Sequence, residues 1–197
     1  MTGPIRCHWA GDDPLYIRYH DEEWGVPQTG DIKLFEKIVL EGFQAGLSWI
    51  TILRKREHFR KVFDGFVPER IVRYNDKKIA ALMADPGIVR NRLKIEATID
   101  NARAYLKLAG NQSLAHLLWD IAGGTPQQNA FAAKGSLPAE TPTSKAMSKA
   151  LKSHGFRFVG PTTVYAFMQS VGMVNDHFVA CHRHADCAKL AKGFKAP

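Results

Sequence analysis

A carboxylate interrupts an apolar helical stripe early in the chain, and few features restrict a fold more. Residues 34–56 read LFEKIVLEGFQAGLSWITILRKR. Leu34, Ile38, Glu41 and Ala45 recur at i, i+4, i+7 and i+11, and Phe35, Val39 and Gly42 widen the stripe; this is the spacing of one helix face. Glu41 therefore stands where an apolar side chain belongs. An unpaired buried carboxylate costs several kcal/mol in order of magnitude, so Glu41 needs either a structural partner or a chemical task. Gly46 suits a helix end, and Ser48 can cap a second helix running from Trp49 towards Phe63. The turn between the two presents Gly46, Leu47 and Trp49 close to the acid.

The remaining segments also read as helices. Asp12 or Asp13 followed by Pro14 is a helix-start signal, and the helix from Leu15 to about Trp24 carries Tyr16, Tyr19, His20 and Glu23. Two tyrosines one turn apart serve either as core or as a stacking wall, and the pattern leaves both open. Beyond Phe66, helices are expected over Pro68–Tyr74, Asp76–Met83, Ile88–Leu108 and Leu114–Ala122. Residues 123–140 lack periodicity and read as an excursion over the surface. No internal repeat is visible, and no run alternates long enough to require a sheet, so an all-α fold is expected.

The segment Pro142–Gly172 is more specific. Thr143 and Ser144 can cap a helix that places Ala146, Met147, Ala150 and Leu151 inward, and Gly155 closes it. After Phe156-Arg157-Phe158-Val159-Gly160, Pro161 opens a second helix, with Thr162 and Thr163 in its first turn. Such a hairpin directs backbone N–H groups and a helix N-terminus outward, which suits a phosphate. Lys149, Lys152 and Arg157 add charge nearby. The same pattern also describes an antiparallel pair stapled into the core.

Charge and cysteine count narrow the partners. With 197 residues and a net charge of +8, the chain suits one domain of two helical lobes and a polyanionic partner. No signal peptide and no apolar run of roughly 20 residues is present, so a cytosolic location is expected. Three cysteines, Cys7, Cys181 and Cys187, argue against a disulfide framework. His177 and Cys181, one helical turn apart, can reach one metal ion, and Cys7 and His20 can supply two more ligands. His182, His184 and Cys187 compete, and spacing does not decide among them. Residues 188–197 look like a basic, frayed tail.

Together these pieces resemble the bacterial 3-methyladenine DNA glycosylase I family. The matching motifs are Cys7-x-Trp9, Asp13-Pro14-Leu15-Tyr16-Ile17 with Tyr19-His20-Asp21, and Glu23-Trp24-Gly25-Val26-Pro27. They continue with Leu40-Glu41-Gly42, Gln44-Ala45-Gly46-Leu47-Ser48-Trp49-Ile50-Thr51, Asn101-Ala102-Arg103-Ala104-Tyr105, Phe158-Val159-Gly160 and Val174-Asn175-Asp176-His177. The resemblance implies a helix-hairpin-helix glycosylase fold in which a structural zinc ion, held by Cys7, His20, His177 and Cys181, joins the N- and C-terminal segments. It implies base-excision repair of double-stranded alkylated DNA by a monomer that releases 3-methyladenine without cutting the strand. Glu41 becomes the base-recognising acid, and Tyr16, Tyr19 and Trp49 the pocket. Gly46 and Leu47 fill the gap in the duplex, while Val159, Gly160, Thr162 and Thr163 grip its backbone. Asp176, beside a metal ligand, is read as structural. Phe43 departs from the family's usual polar residue and bears on how the turn meets DNA.

Overall fold

The computed structural model describes residues 3–132 and 135–197. Helix α1 spans Pro14–Glu22 and opens on Asp13, whose carboxylate accepts from the N–H groups of Leu15 and Tyr16. Helix α2 spans Asp31–Gln44 and α3 spans Trp49–Val62. The short α4 (Pro68–Ile71) and α5 (Asp76–Ala84) lead into the long α6 (Arg92–Ala109) and then α7 (Leu114–Ile121). Helices α8 (Pro142–Ser153) and α9 (Pro161–Ser170) form a hairpin, and α10 (His182–Lys192) ends the set. No helix among the described residues is long and apolar enough to cross a membrane.

Helix α2 is the axis of the molecule. Every residue from Leu34 to Phe43 is buried, and α3, α6, α7 and α9 pack around it. Leu34, Phe35, Ile38, Val39, Leu40 and Phe43 enter one continuous core with residues of α6, α8 and α9. Phe43 packs 4.8 Å from Phe59 and 5.9 Å from Phe63, ring centre to ring centre. It is 1% exposed, so any bearing of this departure on the turn passes through the core packing beneath it.

The structure moves several predicted boundaries, each for a local reason. Helix α6 begins at Arg92, not Ile88, because Asn91 takes the cap by accepting from the Lys94 N–H while Ile88 turns back to the Asp85 carbonyl. Thr141, one turn before the predicted cap, caps α8; its side chain and that of Ser144 form a reciprocal capping box around Pro142. His177 and Cys181 lie in a turn, not on a helix, since Cys181 is the N-cap of α10. The expected frayed tail is helical to Lys192, and Phe194 lies 4.2 Å from Trp119, ring to ring.

One element outside the all-helical expectation matters for the site. Strands β1 (Gln127–Gln128) and β2 (Val174–Asn175) pair in parallel, with Gln127 opposite Val174 and Gln128 opposite Asn175. The excursion over residues 123–140 is thereby tied to the segment that follows α9. Asn129 donates to Asp176, and Val179 N–H donates to the Phe131 carbonyl.

The turn after α9 packs tightly on the chain after α1. Gly25 and Gln28 donate backbone hydrogen bonds to the Gln169 and Val171 carbonyls. Gly172, at φ +70, lies so close that an added Cβ would strike the backbone of Gly25, Val26 and Pro27. Gly172→Ala is therefore expected to destabilise the protein by roughly 2–5 kcal/mol, combining left-handed strain with overpacking. Urea denaturation measures it, and a change within experimental error would show that the turn yields freely.

Candidate functional site

Glu41 projects from α2 into a cavity of about 260 Å³. Tyr16 and Tyr19 enter from α1, Trp49 from the start of α3, and Trp9 and Trp24 from the flanks of α1. Gln44, Ala166, Gln169 and Leu137 complete the lining. The volume suits one heterocycle and lies below the roughly 300 Å³ of the smaller drug-sized sites. The spacing i, i+3 on α1 turns both tyrosines to one side; their ring centres are 6.4 Å apart, and Tyr19 lies 5.4 Å from Trp49. The two readings of this pair coexist: Tyr19 is 2% exposed in an apolar cluster with Tyr16 packed against it, and both rings line the cavity.

The electrostatics follow from burial. Glu41 is 4% exposed, and burial raises its carboxyl to about 7, against the pull of Lys37 and the Ser170 hydroxyl. The Tyr16 and Tyr19 phenols are pushed up by burial and by the charge of Glu41, so both stay neutral. An acid whose ionisation is poised near neutrality, ringed by aromatic faces, can accept from a planar N–H donor and favours a cation stacked on the rings.

Behind the aromatic wall lies a second constellation. Cys7, His20, His177 and Cys181 are buried, and their ligand atoms lie within 4.8 Å of one another. His177 Nδ1 is 3.5 Å from Cys7 Sγ and 3.6 Å from Cys181 Sγ, and His20 Nε2 is 3.5 Å from Cys181 Sγ. Bonds of about 2.3 Å to sulfur and 2.0–2.1 Å to nitrogen in a tetrahedron would separate the two atom types by about 3.5 Å. The donor set thus fits a tetrahedral metal ion. The outer atoms agree: His20 Nδ1 lies 2.7 Å from Asp21 Oδ1 and His177 Nε2 lies 3.0 Å from the Trp24 carbonyl. Each outer N–H is thereby committed, which leaves the inner nitrogens as acceptors. Arg6 donates to both Asp21 oxygens and fixes that carboxylate.

The competing ligands are used elsewhere. His182 and His184 bond the carbonyls of Ile5 and Asn129. Cys187 is buried beside the His177 ring, where both would crowd a Cβ on Gly25. Trp9 couples the two constellations, its ring centre 5.1 Å from His20 and 5.0 Å from Tyr16.

Of the expected DNA-contacting residues, Leu47 is 40% exposed on a turn where Gly46 takes φ +85. Gln44, a cavity residue, clasps this turn, donating to the Leu47 carbonyl and accepting from the Leu47 N–H through its own carbonyl. Lys94 bonds the Phe43 and Ala45 carbonyls beneath it. Gly160 has open space over its Cα, Thr162 is exposed and Thr163 half-buried. Val159 is a core residue instead, its carbonyl accepting from Ser148, so only its backbone can face a ligand. Asp176 is saturated by Asn129, Tyr165 and Gln169, in keeping with a structural part. Trp9 and Trp24 stood out as motif residues, but nothing local placed them in the pocket. Leu137 carried no signal, because it sits in the aperiodic stretch.

Comparison with known proteins accords with this geometry. A model of the methyladenine glycosylase family matches residues 9–184. DNA-3-methyladenine glycosylase 1 of Escherichia coli K12 is 49% identical over 177 residues, covering 89% of this chain and 95% of that protein. A crystal structure of a 3-methyladenine DNA glycosylase I superposes with a TM-score of 0.89 at 50% identity, covering 90% of this chain and 98% of its own. A variant of such an enzyme solved in complex with 3-methyladenine superposes with a TM-score of 0.86 at 35% identity, covering 90% and 96%.

The raised Glu41 carboxyl has a consequence for stability. Its folded-state value lies above the unfolded one, so the stability it contributes is complete below about pH 4.5 and is lost as pH rises through about 7. Glu41→Gln cannot ionise. It should match the parent's melting temperature near pH 5 and exceed it by several degrees near pH 8.5. Equal melting curves at both values would show that the carboxylate is well solvated.

Proposed function

The chain belongs to the methyladenine glycosylase family, and we propose that its aromatic cavity receives a methylated adenine turned out of double-stranded DNA. Hydrolytic release of 3-methyladenine from alkylated DNA is its reaction. The observation that carries the site assignment is Glu41, a buried acid opening into a cavity walled by Tyr16, Tyr19 and Trp49.

A base inside a duplex is out of reach, and turning it out costs a few kcal/mol. Leu47 enters the gap left in the stack. The α8–α9 pair acts as a helix-hairpin-helix, with the backbone from Val159 to Thr163 holding phosphates and Gly160 allowing close approach. Methylation leaves the base cationic while it is bonded to the sugar, and the tyrosine and tryptophan faces favour that charge. Ionised Glu41 accepts from the base N–H groups. When the glycosidic bond breaks, its electron pair passes to the purine, which leaves neutral. The sugar cation is captured by water, whose proton goes to solvent. No lysine among the described residues lines the cavity, so no Schiff base to the sugar is expected and the strand stays intact.

Zinc is the ion that best suits the Cys7, His20, His177 and Cys181 set. Bound there, it would be saturated by four protein ligands and would serve structure, without activating water. It would tie the segment before α1 to the segment before α10, the whole acting as one monomeric domain of two helical lobes.

Methylated duplex DNA incubated with the protein should release 3-methyladenine, resolved by chromatography, with unbroken strands; absence of that product overturns the reading. Glu41→Gln should bind free 3-methyladenine at least tenfold more weakly while its affinity for DNA changes less, since the amide offers a donor where the base needs an acceptor. Parent-like affinity for the free base would return Glu41 to a structural acid.

The metal reading has its own check. Cys181→Ala should lower zinc content and melting temperature together. Full occupancy in that variant would move the site to ligands such as Cys187 or His184.

A further inference from the structure

Lys37 lies one helical turn before Glu41 on α2, and a lysine there is out of place. It is 8% exposed, and its Nζ has no hydrogen-bond partner among the described residues. The amine sits 4.7 Å from the centre of the Tyr19 ring and 5.2 Å from that of Trp49, two of the rings that wall the base cavity. Lys37 itself is absent from that cavity's lining. It lines a second cavity, of about 480 Å³, together with Glu22, Glu23, Lys33, Glu36, Arg60 and Ser170.

The neighbouring carboxylates differ in their commitments. Glu23, at 3.9 Å from Nζ, is held by both terminal nitrogens of Arg56, at 2.6 and 2.8 Å. Glu36 is held by Arg60 at 2.8 Å. Glu41 has no such guanidinium, and among its neighbours the Lys37 ammonium does most to favour its ionised form. Burial in turn draws the Lys37 amine down to about 8, opposed by Glu23, Glu41 and Glu36 and aided by Arg56. Near neutral pH the two groups therefore depend on each other for their charged forms.

We propose that Lys37 is a positioning residue acting through Glu41, supplying from behind the aromatic wall the positive charge that keeps this carboxylate usable as the acceptor of the base. The inference rests on the reading of Glu41 as that acceptor. The second cavity gives the amine a route to solvent that a base in the first cavity does not block. The pair adds no net charge to the site, so the preference for a cationic base rests on the aromatic faces.

The test follows the affinity for free 3-methyladenine from about pH 5 to pH 9 by titration calorimetry, in the parent and in Lys37→Met, Lys37→Gln and Lys37→Arg. The ligand's own titration is common to all and cancels in the comparison. With Met or Gln, the acid limb of the affinity profile should move up by about one pH unit, a loss of about fivefold at pH 7 that approaches about tenfold below it and is regained at alkaline pH. Arginine should restore the parent's limb. An unmoved limb, or a loss equal at every pH, overturns the proposal, and the Gln variant supplies the answer if Met does not fold. Glu41→Gln serves as the discriminating control. If its profile keeps the acid limb, the reading of Glu41 fails; if it loses the limb while Lys37→Met leaves it in place, only the role of Lys37 fails.

Discussion

Everything in this molecule is arranged around a helix that is buried on every side yet carries three charges. The run from Leu34 to Phe43 is sealed by α3, α6, α7 and α9, and within it stand Glu36, Lys37 and Glu41. An ion taken from water must find compensation inside the protein or lose its charge. Glu36 finds Arg60. Lys37 finds aromatic faces and a carboxylate shared with Arg56. Glu41 faces an open cavity instead, and that unfinished compensation is what a ligand can complete. The apolar residues of the same helix build the core, so the scaffold and the site cannot be separated.

Helix α1 performs a similar double duty. Tyr16 and Tyr19 look into the cavity, while His20 looks away to Cys181. A helical turn holds these side chains in fixed relation, and Trp9 touches both sets. Disorder at the cysteine–histidine cluster would therefore reach the stacking wall through one short helix. This makes the cluster a determinant of cavity shape although none of its atoms enters the cavity.

How much of this was legible in the sequence depends on the range of the interaction. The α2 stripe and the anomaly of Glu41 were readable, because periodicity is local and an acid in an apolar register stands out. The pairing of His177 with Cys181 was readable too, although the reason was wrong: four residues bring two side chains together in a tight turn as well as in a helix. The partnership with Cys7 and His20 rested on family resemblance, since no local pattern joins residues so distant in the chain. Leu137 was illegible, because an aperiodic segment acquires its place only through β1–β2 pairing and the Asn129–Asp176 bond. Lys37 was illegible for the opposite reason. Lysine on a helix reads as a solvent-facing residue, and only the closure of α1 and α3 over it makes it internal. The tail likewise hid its anchor, a single Phe194 on Trp119.

The meeting of early and late chain has a topological meaning. Ile5 exchanges contacts with His182, whose backbone N–H donates to the Ile5 carbonyl, and Cys7 lies against His177 and Cys181. The polypeptide between them is thus a ring, clasped where residues 5–7 meet 177–182, with α2 its most deeply buried helix. A clasped ring cannot unravel from a loose end. Its first opening must occur at an internal segment or at the clasp itself, and a break in the backbone elsewhere would leave the two fragments held together by the same core.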